Sequence, residues 1–134
     1  MTDDDVRELL RRTRTIAVVG LSTDPAKASY GVSRYMKERG YRVIPVNPGA
    51  QEILGEKAYP NLTAIPEPVD IVDIFRPSPA VPPIVEEAIR IGAKAVWMQE
   101  GISHAEAAQR AEAAGLAVVQ DRCIMKEHFR LLAR

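Results

Sequence analysis

The chain has 134 residues, 46% hydrophobic and 27% charged, which suits one globular domain spanning 1–134 with a buried core. Its 18 acidic and 18 basic side chains cancel, which argues against nucleic acid as a partner, since neutralising phosphates takes a net basic face. No apolar run is as long as a membrane span, the acidic start Met1-Thr2-Asp3-Asp4-Asp5 lacks a signal peptide's apolar stretch, and a lone cysteine makes no internal disulfide, so a soluble cytoplasmic protein is expected.

The first predicted element is a short helix that Thr2 can cap, with Val6, Leu9 and Leu10 on one face. Residues 16–20 (Ile-Ala-Val-Val-Gly) then form a continuous apolar run, the pattern of a strand buried on both faces of a parallel sheet. A helix over 29–39 turns Val32, Tyr35 and Met36 inward and stops at Gly40. The second strand covers 41–46. The Pro/Gly-rich stretch 47–68 is mostly loop, with a short extended piece near Lys57-Ala58-Tyr59. The third strand covers 69–75. Ser78 and Pro79 then open a helix with Ile84, Val85, Ala88 and Ile89 inward, ended by Gly92. The fourth strand is 94–98. Ser103-His104-Ala105-Glu106 reads as a capping box for a helix that turns Ala107, Ala108, Ala111 and Ala114 inward. The fifth strand is 116–120, and a last helix carries Ile124, Phe129, Leu131 and Leu132.

Five strands alternating with helices imply right-handed crossovers and a doubly wound parallel α/β sheet with helices on both faces. The expected order is 3-2-1-4-5, with a switch point between strands one and four. Ligands of such sheets bind outside the carboxyl ends of the strands, at the switch point.

Those ends therefore carry the candidate residues. After the first strand come Gly20, Leu21, Ser22, Thr23, Lys27, Ser29 and Tyr30, leading into a helix. A glycine for close approach, hydroxyl donors, a cation and a helix N-terminus make an anion cradle; the same residues also make a plain polar loop. The run is neither GxGxxG nor a P-loop. After the second strand, Val46-Asn47-Pro48 lacks the acid that would hold a dinucleotide's ribose, which counts against NAD. Asn47 either bonds an adenine or amide edge or makes an Asx-turn before Pro48. After the third strand, Phe75 offers an aromatic face and Arg76 a phosphate partner; in the alternative, Phe75 is core and Arg76 snorkels. Val81-Pro82-Pro83 follows. Gln99-Glu100-Gly101 ends the fourth strand, with positive φ expected at Gly101, and Asp121-Arg122-Cys123 ends the fifth.

No catalytic constellation or metal-ligand spacing is visible. His104 and His128 read as surface residues, Glu86-Glu87 as a solvated helix face, and Trp97 as core or rim. Cys123 is either an inert buried thiol or a thiol able to form a mixed disulfide with a bound thiol cofactor.

The ordered set resembles a known family. Val18-Val19-Gly20-Leu21-Ser22 with Pro25, Lys27 and Ser29-Tyr30, then Gly40-Tyr41 and Pro45-Val46-Asn47-Pro48, is similar to the small stand-alone CoA-binding-domain proteins. The later segments Val69-Asp70-Ile71-Val72-Asp73, Phe75-Arg76, Val81-Pro82, Gly92-Ala93-Lys94, Trp97 with Gln99-Glu100-Gly101, and Asp121-Arg122-Cys123 agree with it. The family shares a Rossmann-like fold with the CoA-binding amino-terminal domains of the succinyl-CoA synthetase α subunit and of ADP-forming acyl-CoA synthetases. The resemblance implies that the 20–29 loop holds the CoA phosphates. It also implies that Asn47-Pro48 and Phe75-Arg76 through Val81-Pro82 line the adenosine and pantetheine path. Pro77 stands where a second basic residue is expected. The large relatives use a phosphohistidine in another domain, so no catalytic residue is carried over.

Three readings follow. The first is a non-catalytic binder of coenzyme A or acyl-CoA, serving as carrier, sensor or partner subunit. The second is the binding half of an acyl-CoA ligase whose chemistry sits on a separate chain. The third is a domain for NAD or another adenine nucleotide. A homodimer or an unidentified protein partner is compatible with each.

Overall fold

Four of the apolar runs are buried almost throughout, and a strand with no solvated face requires cover on both sides. The computed structural model describes residues 1–132. In chain order the elements are α1 (Asp3–Arg12), β1 (Thr15–Val19), α2 (Ala28–Glu38), β2 (Arg42–Val46), β3 (Glu52–Ile53), β4 (Glu56–Lys57), β5 (Ile71–Ile74), α3 (Val81–Arg90), β6 (Ala95–Met98), α4 (Ala105–Ala113), β7 (Ala117–Val119) and α5 (Ile124–Leu131). Strands β3 and β4 pair with each other as a small antiparallel ribbon.

The main sheet is parallel throughout, in the order β2-β1-β5-β6-β7. Outside β2, Tyr59 makes one parallel bridge to Val46. The expected 3-2-1-4-5 pattern is thus present with the extended piece at Tyr59 in the outer place. The strand expected there, over 69–75, lies instead beside β1. Every residue of β5 is buried there, with β1 and β6 paired along its two edges. The Asp70 carboxylate locks it in place, accepting from the backbone N–H groups of Arg14 and Thr15 at 2.9 and 3.0 Å. The switch point consequently falls between β1 and β5.

Period-two alternation divides the strands between two cores. Ile16, Val18, Ile71 and Trp97 pack under α1, α2 and α5 with Leu9, Met36 and Ile124. Ala17, Val72, Ile74 and Met98 pack under α3 and α4 with Val85, Ala88 and Ala111. Trp97 is fully buried, and its indole N–H donates to the Arg122 carbonyl at 2.8 Å. His128 is core-facing rather than superficial, 8% exposed, with Nδ1 3.0 Å from the Tyr35 hydroxyl. Helices α1 and α5 pack together. Arg130 pairs with Asp3 at 2.8 Å, and Arg7 Nε donates to the Leu131 carbonyl at 3.3 Å.

The caps differ in part from expectation. Thr2 and Asp5 make a reciprocal capping box on α1. On α4 the cap is His104 rather than Ser103: its Nδ1 accepts from the Ala107 N–H at 3.1 Å. Ser78 opens a 3-10 turn, Ser78–Ala80, that runs into α3, and its hydroxyl accepts from the Ser103 N–H instead of capping the helix. No helix is long and apolar enough to cross a membrane among the described residues.

Candidate functional site

A parallel sheet aligns all its strand exits at one edge, so the loops after β1, β2, β5 and β6 converge there. Two cavities of about 550 Å³ each open at that edge, on opposite sides of the β5 exit. The first lies over the ends of β1 and β2 against α3. Gly20, Ser22, Val46, Asn47, Pro48 and Arg76 border it. The second lies between α2 and the start of α5 and is bordered by Phe75, Gln99 and Cys123.

The wall between them is fixed by Gly20. Its φ is +88°, and a Cβ there would stand 2.6 Å from the Phe75 carbonyl oxygen. Only glycine lets the β1 loop approach the β5 exit so closely. The rest of that loop is held by its own side chains. Ser29 Oγ accepts from the Ser22 N–H at 3.0 Å, Ser22 Oγ from the Asp24 N–H at 3.0 Å, and Asp24 Oδ1 from the Ala26 N–H at 2.9 Å. Helix α2 begins with Lys27 at its N-cap position and no side chain bonded to its first N–H groups. Its dipole therefore presents a partial positive charge at the strand edge.

Asn47 joins two loops. Its Nδ2 donates to the Leu21 carbonyl at 3.0 Å, and its Oδ1 accepts from the Gly49 N–H at 2.8 Å, the Asx-turn geometry. Arg76 is exposed at the mouth of the first cavity and is the cation among its lining residues. Leu21 and Val81 are fully buried and support the walls from behind. Ser29 is buried, and Tyr30 is half-buried against the α2 core. Lys27 is exposed on the loop, outside both cavities. Gly101, with φ +80°, donates its N–H to Asp121 Oδ1 at 2.7 Å beside the second cavity.

Beneath the second cavity the candidate residue Gln99 is paired with Asp73, which the sequence did not mark as a site residue. Asp73, in the middle of β5, is 1% exposed, and Gln99 Nε2 donates to its Oδ1. Gln99 Oε1 accepts from the Ile124 N–H at 3.4 Å. Burial pushes the Asp73 carboxyl up to about 7, against a smaller opposing pull from the Gln99 hydrogen bond.

The first cavity also recruits Pro60, Asn61 and Leu62 from the long loop, and Ile84 and Glu87 from α3. Glu87 is not the solvated residue expected: its carboxylate accepts from the Leu62 N–H at 2.9 Å, tying loop to helix. The only sequence signal was negative, a proline-rich stretch with nothing else to do. Among the described residues, no group of three His, Cys, Asp or Glu side chains is placed to hold a metal ion.

The chain as a whole is similar to known proteins. The family model described as a CoA binding domain matches residues 14–129. The uncharacterized protein YneT of Bacillus subtilis is 42% identical over 124 residues, covering 92% of each chain. The ADP-forming acetate–CoA ligase II of Archaeoglobus fulgidus is 34% identical over 105 residues, covering 76% of this chain and 16% of the ligase. A solved structure of a hypothetical protein from Pyrococcus horikoshii superposes with a TM-score of 0.96 at 45% identity, covering 98% of this chain and 93% of that one.

Proposed function

Because the chain belongs to the CoA binding domain family, we propose that it binds coenzyme A or an acyl-CoA across its strand exits and catalyses no reaction by itself. The observation that carries this reading is the pair of cavities flanking the Gly20–Phe75 contact. Coenzyme A is long, with a charged nucleotide end and a slender thiol-bearing arm. The first cavity suits the nucleotide end. Val46 and Ile84 offer apolar surface to an adenine, Asn61 a polar edge, and Arg76 a phosphate partner. The 20–29 loop and the open start of α2 add N–H donors and the charge of Lys27 for the remaining phosphates. Asn47 acts by holding the β1 and β2 exits together, since both ends of its amide are already bonded. The second cavity receives the arm, with Cys123 on its wall.

The test is native mass spectrometry of the purified protein, then titration with CoA and with NAD. Retained CoA, or binding at micromolar concentration, is the expected result. Arg76→Ala and Lys27→Ala should each weaken it by about 1–3 kcal/mol. Binding of NAD without CoA overturns the ligand, and binding of neither overturns the site.

The similarity to an acetate–CoA ligase favours a second reading, in which the CoA-loaded chain serves a catalytic partner. Co-purification of a second chain that confers CoA-dependent ligase activity supports it. A lone homo-oligomer under the same conditions counts against it.

A further inference from the structure

The second cavity differs in chemistry from the first. Val32, Phe75, Ile102 and Met125 contribute apolar wall, while Arg34, Glu100 and Lys126 are exposed at its margin. Two of those margin charges neutralise each other, Lys126 Nζ standing 2.9 Å from Glu100. The polar group on its inner side is already satisfied: the Gln99 amide bonds Asp73 at one end and the Ile124 N–H at the other. Nothing there calls for a polar ligand. A volume of about 550 Å³ lies within the range of small-molecule pockets.

Gly31 points the same way. It sits within α2 and borders the cavity, in a helix where glycine is the poorest choice after proline. Its φ lies outside the left-handed region, and a Cβ built on it would meet nothing within 4 Å. Neither the backbone nor the packing requires glycine here. What the missing side chain provides is room in the cavity.

Position supplies the rest. Phe75 borders the second cavity and Arg76 the first, and consecutive Cα atoms are about 3.8 Å apart. An arm leaving the nucleotide cavity crosses one residue of ridge to enter the other. We infer that the second cavity is an acyl subsite, which takes the hydrocarbon chain of a short- or medium-chain acyl thioester. The inference rests on the coenzyme A reading of the first cavity and makes the acylated cofactor, not free CoA, the preferred ligand.

The experiment is a calorimetric titration with CoA and with acetyl-, butanoyl-, hexanoyl- and octanoyl-CoA. The dissociation constant should fall about fourfold per added methylene until the cavity is full. Gly31→Leu should flatten this series, weakening octanoyl-CoA far more than free CoA, whose arm enters the same cavity without the chain, with circular dichroism to check folding. Met125→Gln should lower the octanoyl-to-acetyl preference without filling space. Equal affinity for CoA and octanoyl-CoA overturns the acyl subsite and leaves the coenzyme A reading intact. A chain-length series that persists in Gly31→Leu also overturns it, because the chain then lies elsewhere. Failure of every ligand to bind overturns both.

Discussion

Asp73 is a carboxyl group in the middle of an apolar sheet, and its burial sets a sign for the pH dependence of folding. In the folded chain its pKa is raised to about 7, so the native state holds the proton after the unfolded chain has lost it. Stability therefore falls as pH rises from the ordinary carboxylate range to about 7, and is flat above. Asp73→Asn keeps an acceptor for Gln99 and a donor where the acid proton was, but cannot ionise. It should raise stability at pH 8 by about 1–4 kcal/mol and change little at pH 4. Denaturant melts at the two pH values check this; equal effects at both would mean that the carboxyl is charged in the fold or solvated. His128 works in the opposite direction. Burial, and then the nearby Arg39, holds its pKa below the usual imidazole value, so protonation costs stability as pH falls below about 6.5.

Helix α4 shows how a cap can move one residue without disturbing the helix behind it. His104 Nδ1 accepts from the Ala107 N–H, the bond that a serine hydroxyl at the cap position usually accepts. His104→Ala should cost about 1 kcal/mol in a denaturant melt and His104→Ser much less. A null effect of the alanine would assign the helix start to the Gln120 side chain, which accepts from the His104 N–H at 2.9 Å. The same helix marks what could be read in advance. Ser103 followed by Glu106 has the spacing of a capping box, but the Ser103 N–H goes to Ser78, and only coordinates reveal that long-range claim. The strands were legible because a doubly covered strand is a continuous apolar run; β1, β2 and β6 each have one, and in β5 Asp73 alone interrupts it. The identity of neighbours was less so: face burial does not say which strands flank a strand, and the 69–75 run was expected at the sheet edge rather than between β1 and β6. At the site, Gly20, Ser22, Asn47 and Arg76 announced themselves by standing at strand exits. Pro60, Asn61, Leu62 and Glu87 reach the same cavity through the fold of a long loop, which carries no periodicity to read. Gly31 was hidden for a simpler reason: within a helix its pattern is that of any small residue.

At the scale of the molecule, the doubly wound sheet gives the two cores separate duties. The α3/α4 side carries the first, more polar cavity, and the α2/α5 side the second, more apolar one, with the β5 exit as their common wall. A ligand spanning both touches loops from either half of the sheet and couples them through Gly20 and Phe75. The packing of α1 against α5 has a different implication. Asp3 and Arg130 are 127 positions apart in sequence and ion-paired in space. A short flexible linker from the end of α5 to the start of α1 could thus close the chain and let it be opened elsewhere. The turn at Ala114-Gly115 is exposed and lies on the sheet edge opposite the cavities, where the chain returns from α4 to β7. A circular permutant cut there should fold and retain ligand affinity within about threefold, read by thermal melt and titration. An unfolded permutant would show that the element order from α1 to α5 is part of how this sheet assembles.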